Sequence, residues 1–219
     1  MALVLAAALA AAACDPRRGV APTPARTPLP TPPAAVADDL PVFRSSAAAG
    51  ARAFAEHCTP CHGDGGDGRG PAAAALSPAP TDFRDEAYMW DQAPAWYYQA
   101  VTRGVAGSAM GRWDHRLDEA ARWDTAFYAW SLADTADEIN AGRRVYDGRC
   151  AGCHASDGNG VGAARFADPR RVRRSRADVA GALRAAHPHL AEGLGEMALR
   201  HVVGYLWTFL YDPAAPDGP

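Results

Sequence analysis

Five cysteines occur in 219 residues, and four of them fall in two matching constellations, Cys58-Thr59-Pro60-Cys61-His62 and Cys150-Ala151-Gly152-Cys153-His154. Two thiols three positions apart can each add to one vinyl group of a haem, giving two thioethers. The histidine that follows is then held under the iron as its proximal ligand. A redox C-x-x-C pair or half of a zinc site would not explain why both motifs end in histidine, and no further cysteine pair is present. Two covalently attached haem c groups are therefore expected, one on Cys58, Cys61 and His62 and one on Cys150, Cys153 and His154. Such attachment implies an extracytoplasmic compartment, the bacterial periplasm.

The elements that must position these motifs are helical, which predicts an all-α fold. A helix pattern over 47–57 carries Phe54 and leads into the first motif. Residues 63–70 form a Gly/Asp loop. A second helix over 95–103 carries Trp96, Tyr97 and Val101, with Gly104 in the position a helix C-cap prefers. A third, over 117–132, opens on Asp118 and Glu119 and carries Trp123, Phe127, Tyr128 and Trp130. The order then repeats. Gly50 and Gly142 each lie eight positions before the first cysteine of their motif, and Tyr146 stands where Phe54 stood. A loop over 158–162, a basic run over 165–176, a helix over 176–186 and a closing helix over 194–211 complete the second copy. This gives one domain over 42–135 and another over 136–212.

The chain begins with an apolar stretch over 1–13, shorter than the ~20 residues a membrane-spanning helix needs, which reads as the core of a signal peptide. Ala11-Ala12-Ala13-Cys14 is similar to a bacterial lipobox, so residues 1–14 are read as signal peptide and lipobox, with Cys14 as the lipidated residue. Residues 15–41 hold eight prolines and form an extended linker. Formal charge is −4 over 42–135, +1 over 136–219 and 0 before residue 42. A net charge of −3 excludes a nucleic-acid binder, which would need a basic face.

Each half resembles a class I cytochrome c domain, over about 42–134 and 136–211. The resemblance implies that the first and last helices of each domain cross at a Gly–aromatic contact, Gly50 with Tyr128 and Gly142 with Tyr205. It also implies that the sixth iron ligand is a methionine in the loop before the last helix, which Met110 supplies for haem 1. Met89 lies before the second helix, outside that loop. Aligning the closing helices without gaps places Leu117 on Leu194, Tyr128 on Tyr205 and Met110 on His187, which Pro188 follows. Haem 2 is accordingly expected to be bis-histidine, with His154 proximal and His187 distal. His189 and Met197 stand as alternatives, Met197 reading also as a packing residue of the closing helix.

The chemistry so placed is electron transfer. An axial methionine raises the haem potential relative to a second histidine, so haem 1 is the higher-potential site and haem 2 the lower. The chain is then a membrane-anchored carrier, not an enzyme. It would link a membrane respiratory or dehydrogenase complex to a downstream cytochrome, oxidase or reductase. A di-haem peroxidase-like enzyme, or a haem-based sensor with an open site at haem 2, is the alternative. The basic run of Arg165, Arg170, Arg171, Arg173, Arg174 and Arg176 reads either as a solvated loop, or as a docking face, or as counter-charge to haem propionates.

Overall fold

The computed structural model describes residues 40–41, 43–160 and 165–213. The expected signal peptide, the lipobox with Cys14, and the linker up to residue 39 lie outside the described residues. No helix among those described is long and apolar enough to cross a membrane.

The first half is opened by Ser46, whose side chain accepts the Ala49 N–H at 3.1 Å and caps α1 (Ala47–His57). After one residue the chain turns into α2 (Thr59–His62), with Pro60 in its first turn, where a missing N–H costs nothing. Asp85 caps α3 (Glu86–Trp90). Pro94 begins α4 (Pro94–Arg103), which stops at Gly104 with φ +75°. Asp118 accepts the Ala121 N–H at 2.8 Å to open α5 (Glu119–Ser131).

The second half begins with α6 (Ala136–Arg149), started by a capping box between Thr135 and Glu138. It continues through α7 (Ala151–His154) and a 3-10 turn at Pro169–Arg173. A second capping box, Ser175 with Asp178, starts α8 (Arg176–Ala186). Two helices follow, α9 (Pro188–Leu194) and α10 (Glu196–Trp207). The closing helix expected over 194–211 is therefore shorter and preceded by a separate one. Gly195, at φ +70°, breaks the run, and Tyr211–Asp212 leaves the helix to form β2, pairing in parallel with β1 (Ser45–Ser46). The short α3 and α9 carried no clear apolar periodicity and were not expected.

Each half is built on one helix crossing. A Cβ on Gly50 would lie 2.1 Å from the Asp124 carbonyl oxygen and 2.8 Å from the Tyr128 Cβ. A Cβ on Gly142 would lie 2.0 Å from the His201 carbonyl oxygen and 2.9 Å from the Tyr205 Cβ. Only glycine permits α1 to meet α5, and α6 to meet α10, at these separations. The Gly–Tyr contacts implied by the family resemblance are present.

Both halves belong to one compact unit. The Ser45 N–H donates to the Leu210 carbonyl at 3.2 Å, Phe127 stacks on Tyr211 at 5.3 Å, and Trp130 meets Trp207 edge-on at 4.9 Å. Trp130 and Trp207 occupy equivalent places in α5 and α10, so the repeat contributes the same residue twice to the boundary. Both are fully buried, as are Phe127 and Tyr211.

Candidate haem sites

The two attachment motifs have the same local geometry. The N–H groups of Cys61 and His62 donate to the Cys58 carbonyl at 3.2 and 2.9 Å, and those of Cys153 and His154 to the Cys150 carbonyl at 3.1 and 3.0 Å. Each motif is thus one tight helical turn that presents both thiols and the histidine from a fixed backbone. Beyond it, the Gly68 N–H donates to the His62 carbonyl and the Gly160 N–H to the His154 carbonyl, both at 2.9 Å. The Gly66 carbonyl accepts from Phe83 at 2.8 Å and the Gly158 carbonyl from Phe166 at 3.0 Å. These bonds seat an aromatic ring against each proximal histidine: Phe83 stacks on His62 at 4.9 Å, and Phe166 lies 4.7 Å from His154. The role of Phe83 and Phe166 was not read from the sequence. The signal available was the glycine four residues after each motif histidine.

These residues fit haem c. Burial lowers the His62 pKa, so its imidazole is neutral and can ligate iron. The Thr81 backbone lies close enough to oppose that shift, although Nδ1 has no well-aligned hydrogen-bond partner among the described residues. Burial pushes the Cys58 thiol up to about 12, the neighbouring Cys61 adding to the effect. Burial raises Cys150 as well, against the nearby Arg149. None of the four motif cysteines is paired in a disulfide, so both of each pair are available to one haem.

At the residues expected as distal ligands the halves differ. Met110 is half-buried in a closed loop: its N–H donates to Ser108 Oγ at 3.1 Å, and its carbonyl accepts the Val105 N–H at 2.9 Å. Met89 is fully buried, and its sulfur accepts the Tyr97 hydroxyl at 2.8 Å, which makes it a core residue. In the second half there is no equivalent loop. α8 runs directly to His187, which joins it to α9. The His187 ring lies 5.9 Å from the His154 ring, centroid to centroid, with the planes at 89°. Two imidazoles that each place a nitrogen about 2 Å from one iron have centroids about 6 Å apart, so this separation suits a shared metal. His189 is exposed one residue into α9. Met197 is 70% exposed at the start of α10, which corrects the expectation that it packs into the core.

The basic run is also divided by the fold. Arg170 is exposed and pairs with Asp168, as a solvated loop residue would. Arg171 is half-buried and Arg176 fully buried. The Arg171 guanidinium lies over Phe166 at 5.4 Å and Trp207 at 4.9 Å, and donates to the Phe166 and Leu206 carbonyls. Arg176 is 1% exposed, lies over Trp130 at 3.4 Å and pairs with Asp134.

Residues 45–128 match the family of cytochrome c oxidase, cbb3-type, subunit III, and residues 139–206 match the cytochrome c family. Among curated relatives, the cbb3-type cytochrome c oxidase subunit FixP of Sinorhizobium medicae is 29% identical over 134 residues, covering 55% of this chain and 44% of that protein. FixP of Rhizobium etli is 27% identical over 146 residues, 60% of this chain and 48% of that protein. The CcoP subunit of Azospirillum brasilense is 32% identical over 131 residues, 52% and 41% respectively. The matches thus span less than half the length of these relatives. A solved chain of the Kuenenia stuttgartiensis reducing HAO-like protein complex is 19% identical, covers 74% of this chain and 96% of its own length, and has a TM-score of 0.34.

Proposed function

Because this chain belongs to the cytochrome c family, as two tandem domains each with an attached haem c, we propose that it is a one-electron carrier with two sites of different potential. When bound, each haem supplies an iron(III)/iron(II) couple. Everything else is set by the residues around it. The paired cysteines fix position, and Phe83 and Phe166 orient the proximal histidines by packing against them. With Met110 and His187 bound in addition to His62 and His154, neither iron would keep a place for a substrate, which favours a carrier over an enzyme.

Met110 is the proposed distal ligand in the first domain (residues 42–135). Its thioether favours iron(II) and raises the potential. His187 is the proposed distal ligand in the second domain (136–212). Imidazole favours iron(III) and lowers the potential. The 5.9 Å approach of His187 to His154 is the observation that carries this assignment, and it ranks His187 above His189 and Met197. The ligand sets then give the chain a direction, from the second domain to the first.

The relatives are named as subunits of cbb3-type oxidases, which supports a partner among membrane respiratory or dehydrogenase complexes, with an oxidase, reductase or soluble cytochrome downstream. The proposed lipid on Cys14 would hold the carrier at the periplasmic face of a membrane. Spectroelectrochemical titration of the intact protein tests the reading. Two separate one-electron waves, of which only one belongs to a methionine-ligated haem, are expected. A single two-electron wave, or a ferric high-spin site that binds peroxide, would refute it. Mass spectrometry of the mature N-terminus tests the anchor: a cleaved but unmodified Cys14 would remove it.

A further inference from the structure

The two histidines proposed as ligands of haem 2 stand at right angles. Their ring planes meet at 89°, with centroids 5.9 Å apart. Each ring is carried by a backbone pinned on both sides. The His187 N–H donates to the Leu183 carbonyl at 2.9 Å, its carbonyl accepts the Ala191 N–H at 3.0 Å, and Pro188 follows. The His154 N–H donates to the Cys150 carbonyl at 3.0 Å, and its carbonyl accepts the Gly160 N–H at 2.9 Å. The His62 turn has the equivalent bonds, yet the two proximal rings do not lie alike. His62 lies at 19° to Phe83, and His154 at 49° to Phe166. What the second turn has in addition is a hydroxyl. Tyr146 is fully buried, with the Tyr205 and Phe209 rings each 5.3 Å from its own. Its hydroxyl donates to the Ala155 carbonyl at 2.6 Å and lies 3.4 Å from the His154 carbonyl oxygen. It therefore supports the residue next to the ligand, Ala155, which is strained at φ +56°. Phe54, in the equivalent place, has no hydroxyl to give.

We propose that Tyr146 is a positioning residue of haem 2: its hydroxyl fixes the turn after the second motif, and with it the right angle between His154 and His187. A hydrogen bond to the residue that carries a ligand, or to its neighbour, orients that ligand. The angle has an electronic consequence. Each imidazole raises the iron dπ orbital that its own π system overlaps. Two parallel rings raise the same orbital. The hole of low-spin iron(III) then sits in that orbital, and the oxidised state is stabilised. Two rings at a right angle raise both orbitals alike, and this stabilisation is lost. Iron(II) has both orbitals filled and is indifferent to the angle. The right angle therefore holds haem 2 above the potential of a parallel bis-histidine haem. It narrows the drop between the two sites that the difference of axial ligands creates.

This inference rests on His187 as the distal ligand of haem 2, which near-infrared magnetic circular dichroism of the same sample tests separately. A wild-type protein without a bis-histidine haem would overturn that reading and this one together. With the bis-histidine band present, electron paramagnetic resonance of the oxidised holoprotein reads the angle. Perpendicular rings give a broad, highly anisotropic signal with one large g value, and parallel rings a rhombic signal whose largest g value is smaller. The wild type is expected to give the first. Tyr146→Phe keeps the ring and removes the hydroxyl alone. It should move the largest g value of haem 2 downward and lower its midpoint potential, leaving haem 1 unmoved. Ala155→Gly added to Tyr146→Phe relieves the strain that the hydroxyl supports, and should bring both readings back towards wild type. A hydroxyl that only stabilises the fold would change the melting temperature and neither reading. Should Tyr146→Phe fail to load haem 2, the double variant decides: haem 2 restored with the wild-type g value supports the proposal, and continued loss overturns it. A rhombic wild-type signal, or a folded and fully loaded Tyr146→Phe protein with the wild-type g value and potential, would also overturn it.

Discussion

The two halves share a proximal architecture almost bond for bond and diverge at three places. The first is distal: a seven-residue loop from Gly104 to Met110 in one half, and in the other a histidine at the end of α8 with no loop at all. The second is the residue after the motif histidine. Gly63 has φ +75°, while its counterpart Ala155 is held at φ +56°, where an L-residue is strained. The strain is met by Tyr146, whose hydroxyl donates to the Ala155 carbonyl at 2.6 Å. Phe54, its counterpart, has no hydroxyl. The third is the cap of the opening helix: Ser46 gives its N–H to a carboxylate on another helix, Asp124, at 2.7 Å, whereas Thr135 gives its N–H to Glu138 within its own first turn. The turn around each motif histidine is the same in both halves. The segments before the last helices, and the starts of the opening helices, differ.

The shared part is tested most severely at the helix crossings. Gly50→Val and Gly142→Val each force a side chain into backbone at about 2 Å. Each should cost more than the ~1–3 kcal/mol of ordinary overpacking, and each should lose the haem of its own half first, measured as haem per protein by pyridine haemochrome. Equal tolerance of valine at both glycines would break the equivalence of the two folds.

Exchange of the proposed distal ligands comes next. Met110→His should lower one midpoint potential and His187→Met should raise the other, so that the two waves of a redox titration converge in the double variant. Should His187→Met leave both potentials unmoved, the second site has another distal ligand.

The strained turn predicts effects of opposite sign. Ala155→Gly should stabilise the protein by up to about 1 kcal/mol, while Gly63→Ala should destabilise it by about 1–2 kcal/mol, both read by thermal unfolding of the holoprotein. Tyr146→Phe should cost about 1 kcal/mol by removing its hydrogen bond.

The helix caps give the smallest effect and a pH signature. Burial raises the Asp124 pKa against the Ser46 hydrogen bond, so the folded state favours its protonated form and gains relative to the unfolded chain as pH falls through the folded value. The hydrogen bond from Thr135 lowers the Glu138 pKa, so its contribution is present above the unfolded value and is lost as pH falls through the folded one. Between pH 7 and 3.5 the melting-temperature difference from wild type should therefore become less favourable for Asp124→Asn and less unfavourable for Glu138→Gln. Parallel slopes would contradict the contrast.

The parts of the molecule that were legible in the sequence are those fixed by local pattern. The C-x-x-C-H turns, the helix over 47–57, the stop at Gly104 and the start at Asp118 are each written within a few residues. The Gly–Tyr crossings were legible because two copies could be laid over each other and a family resemblance supplied the contact. What escaped was non-local. Nothing in Arg171 or Arg176 distinguishes them from Arg170 until Trp130 and Trp207 are brought together from 77 positions apart. Phe83 and Phe166 sit at different distances from their motifs, because the intervening loop is shorter in the second half, so the overlay did not align them. Gly195 hides inside an apolar pattern that reads as one continuous helix. Its φ of +70° ends one helix and starts another, and Met197 is left in solvent.

The central claim is that two matching proximal sites carry different distal ligands. Near-infrared magnetic circular dichroism of the fully oxidised protein tests it most directly, because the charge-transfer bands of His/Met and bis-His low-spin haem fall apart. One haem of each kind is predicted, with the bis-His band lost in His187→Ala and the His/Met band lost in Met110→Ala. Two His/Met haems, or a high-spin signal from the second site, would contradict the account.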